Sequence, residues 1–322
     1  MRAISPAADA QIAGAPPLEL EELPAGVGPR DSVLRGVFRT TRGRIGAGLA
    51  LLVVLVAVIG PFVAPHSPTE FVGPPFAKPS SAFPLGTDTL GRDVLSRTLK
   101  GGWELLLLGL AGTAAGVLLG ATIGVVAAFR GGLLDAVLMR GVDVVLAFPQ
   151  LVFALLLVSV VGPKLWLVVL AVAVAHAPQV GRVIRSAALD VSERDFISSA
   201  ELIALPQREI IFSEILPNLT SPLMVETGIR LTYSVIIIAG LSFLGFGLQP
   251  PEPNWAVMIN ENRGGLSANS WAIVAPAFLL ALLTIGVNTL TDAIARVSLG
   301  VDGRRAATAV VPARPPALEV RE

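Results

Sequence analysis

The residues of this sequence that could do chemistry are a few polar side chains inside long apolar segments. Glu226 and Arg230 lie four residues apart, so they share one face of a helix and can form a salt bridge. Asn288 and Asp292 repeat that spacing. Ionisable residues inside a membrane are costly to bury and commonly mark a transport path. Glu226 and Arg230 therefore either neutralise each other in the interior or line a translocation path. For Asn288 we weigh a path position against hydrogen bonds to neighbouring helices.

Several chemistries are excluded by composition. The chain has no Cys and only two histidines, His66 and His176, so we predict no catalytic site and no metal site. It has 24 basic and 24 acidic residues, which leaves no net charge to attract nucleic acid. We expect His176, alone in an apolar segment, to be a hydrogen-bonded packing residue. Without a G-x-x-x-x-G-K-[ST] motif the chain binds no ATP of its own, and we expect it to bind no cofactor.

The elements that must position these residues are membrane-spanning helices. Hydrophobic residues make up 53% of the chain and charged residues 15%, and the mean hydropathy is +0.72. A helix needs about 20 apolar residues to cross a bilayer. The sequence therefore predicts an all-α membrane protein with six transmembrane helices, one of which, from about 219 to 243, contains Glu226 and Arg230. The runs free of charged residues are 45–69, 105–129, 144–163, 165–181, 231–251 and 264–291.

Basic residues predict the orientation, because most of them fall on one side when the N-terminus is cytoplasmic. Both termini are then cytoplasmic, in a multi-pass protein of the bacterial plasma membrane. Prolines predict an ordered external loop without regular helix over 65–100. The predicted organisation is a disordered tail (1–40), a first helix with the external loop (41–102), a core of five helices (103–297) and a second disordered tail (298–322).

Small residues and charges indicate how the helices pack. Glycines recur every fourth residue in the second span and form a groove for another helix, either within the subunit or at a subunit interface. They are Gly112, Gly116, Gly120 and Gly124. Arg140 and Asp143 are predicted to pair at the cytoplasmic end of the third span. The external segment 249–266 carries Trp255, Glu261 and Arg263. It either contacts an external partner protein or gates the external mouth, or it is an ordered connector with Trp255 at the membrane interface.

The most informative polar segment is 186–218, on the cytoplasmic side. Phe196, Ile197, Ala200, Ile203 and Ala204 follow helical spacing, with Ser192 as the expected N-cap and Pro206 as the end of the helix or the start of the next. Such a short amphipathic helix either lies on the lipid surface or docks a soluble partner.

Several stretches resemble the C-type permease subunit of dipeptide, oligopeptide and nickel ABC importers, over about residues 40–300. They are LGTDTLGRDVLSR (85–97), GGLLDAVLMRGVDVVLAFP (131–149), FISSAELIALPQREIIFSEILPN (196–218), LSFLGFGLQPPEPNW (241–255) and NTLTDAIAR (288–296). The resemblance implies a type I ABC-importer permease fold with a cytoplasmic coupling helix. It also implies a heterodimer with a B-type permease, two ATPase subunits that use ATP and Mg, and an external substrate-binding protein.

The coupling motif departs from the family pattern. Ser198 replaces its Glu, Ser199 its first Ala and Ala204 its Gly, whereas Ala200 matches. The residues expected at the ATPase contact are Phe196, Ile197, Ser198, Ser199, Ala200, Ala204 and Leu205.

The resemblance and the composition favour peptides as the substrate. Peptides are preferred to nickel because no His or Met cluster lines a span as a metal path would require. Nickel or another small solute is the alternative within the family. An ion-coupled secondary transporter is the alternative of a different class, and it predicts paired half-repeats with broken helices.

Overall fold

The computed structural model describes residues 30–162, 164–247 and 250–298. Within them the chain is helical, with only two isolated β-bridges and no strand. The helices are α1 (Arg30–Arg39), α2 (Thr41–Val63), α3 (Val94–Lys100), α4 (Trp103–Arg130), α5 (Gly132–Leu146), α6 (Gln150–Val161), α7 (Leu165–Ser192), α8 (Asp195–Leu202), α9 (Gln207–Glu209), α10 (Leu216–Asn218), α11 (Thr220–Phe243), α12 (Trp255–Asn262) and α13 (Trp271–Ser298). A π-helix, Ile210–Ile215, joins α9 to α10, and a 3₁₀ turn, Arg263–Gly265, follows α12.

Five helices of the described residues, α2, α4, α7, α11 and α13, are long and apolar enough to cross a membrane. The predicted third span is instead a broken one, because α5 and α6 meet at an angle of 88°. Pro149 stands at this break and disfavours helical geometry in the residue before it. Counting the bent pair as one span gives the six predicted, and the all-α prediction is confirmed.

The most extensive helix contact is between α4 and α7. A Cβ atom at Gly112 would lie 2.7 Å from a Val172 methyl group, and one at Gly124 would lie 2.6 Å from the Gly181 carbonyl oxygen. Gly116 and Gly120 face α7 in the same way. The whole glycine stripe is therefore used for packing within this chain, where missing side chains let two backbones approach.

Two cross-helix ion pairs hold the broken span against α7. Arg185 donates two hydrogen bonds to the carboxylate of Asp135, at 2.5 and 2.6 Å. Arg182 donates to Asp143 at 2.5 Å. The predicted pairing of Arg140 with Asp143 is therefore wrong, because the Asp143 carboxylate pairs with Arg182 of α7 instead.

The ends of the predicted tails and of the external loop also differ from expectation. Residues 1–29 and 299–322, predicted as disordered, lie outside the described residues. Residues 30–39, predicted as part of the first tail, form α1, whose Gly36 contacts Val297 of α13. The external loop 65–100 is irregular up to Asp93 but ends in α3, because its last proline is Pro84 and Asp93 caps the helix by accepting from the Ser96 N–H.

Candidate functional site

A buried polar cluster lies near the middle of α11. The Arg230 Nε–H donates to Glu226 at 3.0 Å, and both side chains are buried. The Arg230 guanidinium also donates to the Gln179 amide oxygen on α7 and lies 5.6 Å from the centre of the Tyr233 ring. At a rise of about 1.5 Å per residue, Arg230 is about 15 Å from the start of α11. The predicted ion pair thus forms at the depth of the membrane interior.

A cavity of about 470 Å³ opens beside this cluster. Its wall combines the bend between α5 and α6, through Phe148 and Gln150, with Gln179, Arg230 and Tyr233. Glu226 is not part of the wall. A molecule entering the cavity therefore meets the cation, while the compensating carboxylate lies behind it.

His176 occupies a separate buried network. Its Nε2 atom is 3.0 Å from the Ser234 hydroxyl, which is 2.8 Å from the Thr113 hydroxyl, so the network joins α7, α11 and α4. The imidazole is fully buried, and its Nδ1 atom has no hydrogen-bond partner among the described residues. His176 is thus a hydrogen-bonded packing residue, as predicted.

The segment between α7 and α11 carries α8, the predicted coupling helix. Ile197 and Ala200 are buried and pack with Val191 and Ile210 in an apolar cluster at this end of the bundle. Ser198 and Ser199 are exposed, and Leu205 is partly buried against the same cluster. Two of the predicted contact residues thus anchor α8 to the bundle, and the exposed positions remain available to a partner.

The ends of α8 differ from the prediction. Ser192 is the last residue of α7 and bonds back to the Ala188 carbonyl, so it is not the N-cap; Arg194 occupies that position without a side-chain cap. The helix ends at Leu202, and Ile203 is exposed rather than on the buried face. Pro206 opens the next helix, α9, as one of the two predicted alternatives had it.

Ala204 has φ = +57°, the left-handed conformation that glycine adopts without steric cost. Its N–H donates to Glu201 O, and the Leu205 N–H donates to Ala200 O, so the residue closes the C-terminal end of α8. The family's glycine position therefore keeps its glycine-like backbone with alanine in place.

The external loop is fastened to α12 by a buried ion cluster. Arg92 and Arg97 each donate to Glu261 at 2.9 Å, and Arg92 also donates to Asp88 at 2.6 Å. Asp88, Arg92 and Arg97 are all buried. Two cations face two carboxylates, so the cluster is neutral.

Neighbouring hydrogen bonds reinforce this contact. Asn262 accepts from the Thr89 N–H, and Asn269 donates to the carbonyls of Leu85 and Thr87, each at 2.9 Å. Trp255 is fully buried and donates to Thr98 O at 2.8 Å. The prediction that Trp255 lies at the membrane interface is wrong, because the loop covers it. Residues 250–266, which contain α12 and the 3₁₀ turn, nonetheless form an ordered connector.

The structure brings some predicted residues together and separates others. Glu226 and Arg230 meet, but Asn288 is exposed on α13 and has no hydrogen bond among the described residues. Sequence reasoning missed Gln179 and Tyr233 beside Arg230, and the exposed Leu202 at the end of α8. A polar residue next to Pro178 inside an apolar run was the available signal for Gln179.

The sequence matches known proteins over most of its length. Residues 116–298 match the family model for the binding-protein-dependent transport system inner membrane component. The dipeptide transport system permease protein DppC of Haemophilus influenzae is 32% identical over 263 residues, 79% of this chain and 89% of that protein. The glutathione transport system permease protein GsiD of Pectobacterium atrosepticum is 34% identical over 251 residues, 77% of this chain and 83% of that protein.

Solved structures support the same fold. An inward-facing structure of the MetNI methionine ABC transporter aligns with a TM-score of 0.52 and 18% identity, over 63% of this chain and 96% of that one. The part of the fold that matches is thus nearly a whole chain of that transporter.

Proposed function

The chain belongs to the family of binding-protein-dependent transport system inner membrane components, and from that premise we propose that it imports peptides as one permease subunit of an ABC importer. Relatives named for dipeptide, di/tripeptide and glutathione transport support this substrate class. The observation that carries the proposal is α8, a short helix anchored by its buried face between two spans and exposed on its other face. A subunit without an ATP site of its own needs such a surface to bind an ATPase subunit and to follow its conformational changes.

We propose the following division of labour. This chain and a B-type permease form a heterodimer that encloses the pathway, and an external binding protein delivers the peptide. Two ATPase subunits on the cytoplasmic side bind and hydrolyse ATP with Mg, and this chain binds no cofactor. The excess of basic residues on one side supports cytoplasmic termini and a cytoplasmic α8.

The coupling contact is proposed to use the outward side of the segment from Phe196 to Leu205. Leu202 is 86% exposed and Ile203 is 72% exposed, although both are large and apolar. Exposed apolar side chains at the tip of a helix are suited to a pocket on a soluble partner. Ser198 and Ser199 add hydroxyl groups where the family has Glu and Ala, so the contact has one carboxylate fewer.

The pathway is proposed to pass beside the Glu226–Arg230 pair, with Asn288 as a further lining position. The pair supports this because a neutral, hydrogen-bonded pair is a less costly way to hold charge inside a membrane than a single ion. The cavity beside it supplies space at the same depth.

The test uses the complete importer, with both permeases, both ATPase subunits and the binding protein, in proteoliposomes and follows uptake of a labelled dipeptide. We expect uptake that requires ATP and both ATPase subunits. The variant Ala204→Arg should lose the ATPases in a pull-down and lose uptake, because a long charged side chain is added at the exposed end of α8. Thr69→Arg, at an exposed position of the external loop, is the matched control and should keep both. Uptake driven by an ion gradient without ATPases, or intact assembly of Ala204→Arg, would contradict the proposal.

A further inference from the structure

The cavity beside Arg230 has unused hydrogen-bonding groups. A guanidinium has five N–H donors. Within the described residues Arg230 uses one for Glu226 and one for Gln179, which leaves three. Gln150 donates its amide N–H to Ala175 O at 3.2 Å, and its amide oxygen bonds to none of the described residues. Tyr233 is 46% exposed, and its ring centre lies 5.6 Å from the guanidinium carbon.

These groups define the chemistry of a ligand. A planar guanidinium with free N–H groups binds a carboxylate through two parallel hydrogen bonds. The Gln150 oxygen accepts from an N–H donor, and Phe148, which is 48% exposed, offers an aromatic surface. A metal cation fits poorly, because the charged group in the wall is itself a cation. The volume, about 470 Å³, lies in the range of small-molecule sites.

Glu226 compensates the buried charge of Arg230 when no ligand is bound. A lone guanidinium at this depth would be an uncompensated buried charge, which is strongly unfavourable. Glu226 neutralises Arg230 from one helical turn away while leaving the cavity side of the guanidinium free. The guanidinium is therefore neutralised before a ligand binds, and its cavity side can still bind an anionic group.

We infer that the cavity formed by Phe148, Gln150, Gln179, Arg230 and Tyr233 is a binding site for the C-terminal carboxylate of a transported peptide, with Arg230 as its receptor. This inference rests on the proposed function, since it takes peptides as the substrate. It adds that the permease itself recognises the peptide terminus, through a guanidinium held in place by Glu226 and Gln179.

The absence of cysteine allows a direct test. Ile229→Cys places a single thiol of this chain in the cavity wall, at a residue to which the proposal gives no binding role, and its rate of reaction with a small maleimide reports occupancy. The measurement uses the full chain with its partner subunits in membrane vesicles, without ATP and without binding protein. The probes are the dipeptide alanyl-phenylalanine and its C-terminal amide.

We expect the dipeptide to slow labelling and the amide to need about a tenfold higher concentration for the same protection, because it lacks the charge-assisted hydrogen bonds. Adding Glu226→Gln and Arg230→Gln together removes both charges and should abolish the preference for the dipeptide. Arg230→Lys keeps the positive charge but cannot make two parallel hydrogen bonds to a carboxylate. Its preference for the dipeptide should lie between those of the parent and of the double variant. Arg39→Gln, which removes an exposed arginine at the end of α1, away from the cavity, is the matched control and should keep the full preference.

Three results would overturn the inference. They are a thiol that does not react in the absence of peptide, equal protection by the two probes, and a preference that survives loss of both charges. Labelling by maleimide at the parent rate without peptide shows that each variant retains its fold around the cavity. Failure of ATP-driven uptake would instead count against the proposed function, which this binding assay does not measure.

Discussion

Adding one methyl group at Gly120 should weaken the packing of α4 against α7. A Cβ atom there would lie 2.5 Å from the Ala177 carbonyl oxygen, 2.6 Å from the Val180 Cβ and 3.0 Å from the Gly181 nitrogen. Ordinary contacts between such atoms are about 3.5 Å, so the helices must separate locally by about 1 Å. None of the three atoms belongs to a flexible side-chain end that could move aside.

The magnitude follows from two opposing terms. Overpacking of this kind costs about 1–3 kcal/mol, and alanine gains about 0.5–1 kcal/mol over glycine inside a helix. The net expectation for Gly120→Ala is a loss of about 1–2 kcal/mol in the free energy of unfolding. Gly48→Ala is the matched control, since a Cβ there meets no atom within 4 Å and only the helical gain applies.

The assay is reversible unfolding of the two variants in mixed micelles of dodecyl maltoside and SDS, followed by far-UV circular dichroism. The difference between the variants isolates the packing term and should be about 1–3 kcal/mol in favour of Gly48→Ala. If the two variants unfold within about 0.5 kcal/mol of each other, the close approach of α4 and α7 at Gly120 is refuted.

Two further predictions concern α8 and the ion cluster of the external loop. Ala204→Gly should stabilise the end of α8 by about 0.5–1 kcal/mol, because the relieved left-handed strain of about 1–2 kcal/mol exceeds the entropy cost of glycine. Hydrogen exchange of α8 should slow, whereas Ala200→Gly, at a buried helical position, should speed it; the opposite order would contradict the backbone argument. Glu261→Gln should destabilise the protein by about 3 kcal/mol, because two buried arginines then share one carboxylate. Thermal unfolding is compared with that of Glu70→Gln, at an exposed position of the external loop, and equal melting temperatures would exclude the buried cluster.

The spans, the all-α class and the Glu226–Arg230 pair could be predicted from the sequence because each depends on local constraints. A bilayer leaves helices as the way for such apolar segments to satisfy their backbone hydrogen bonds. A spacing of four residues puts two side chains on one face of a helix wherever that helix lies. The break in the third span could not be predicted, because Pro149 lies inside a single run without charged residues, 144–163, that is long enough for one span.

Other features were decided by the tertiary structure, because they join residues far apart in the chain. Asp143 pairs with Arg182 rather than with its near neighbour Arg140. The external loop is held by Glu261, more than 160 residues later, and Arg230 gains Gln179 from another helix. Local spacing states which side chains share a helix face, and only the docking of helices decides what that face meets. The sequence by itself therefore determined the elements and their charged residues, whereas the packing determined the partners and the cavity between them.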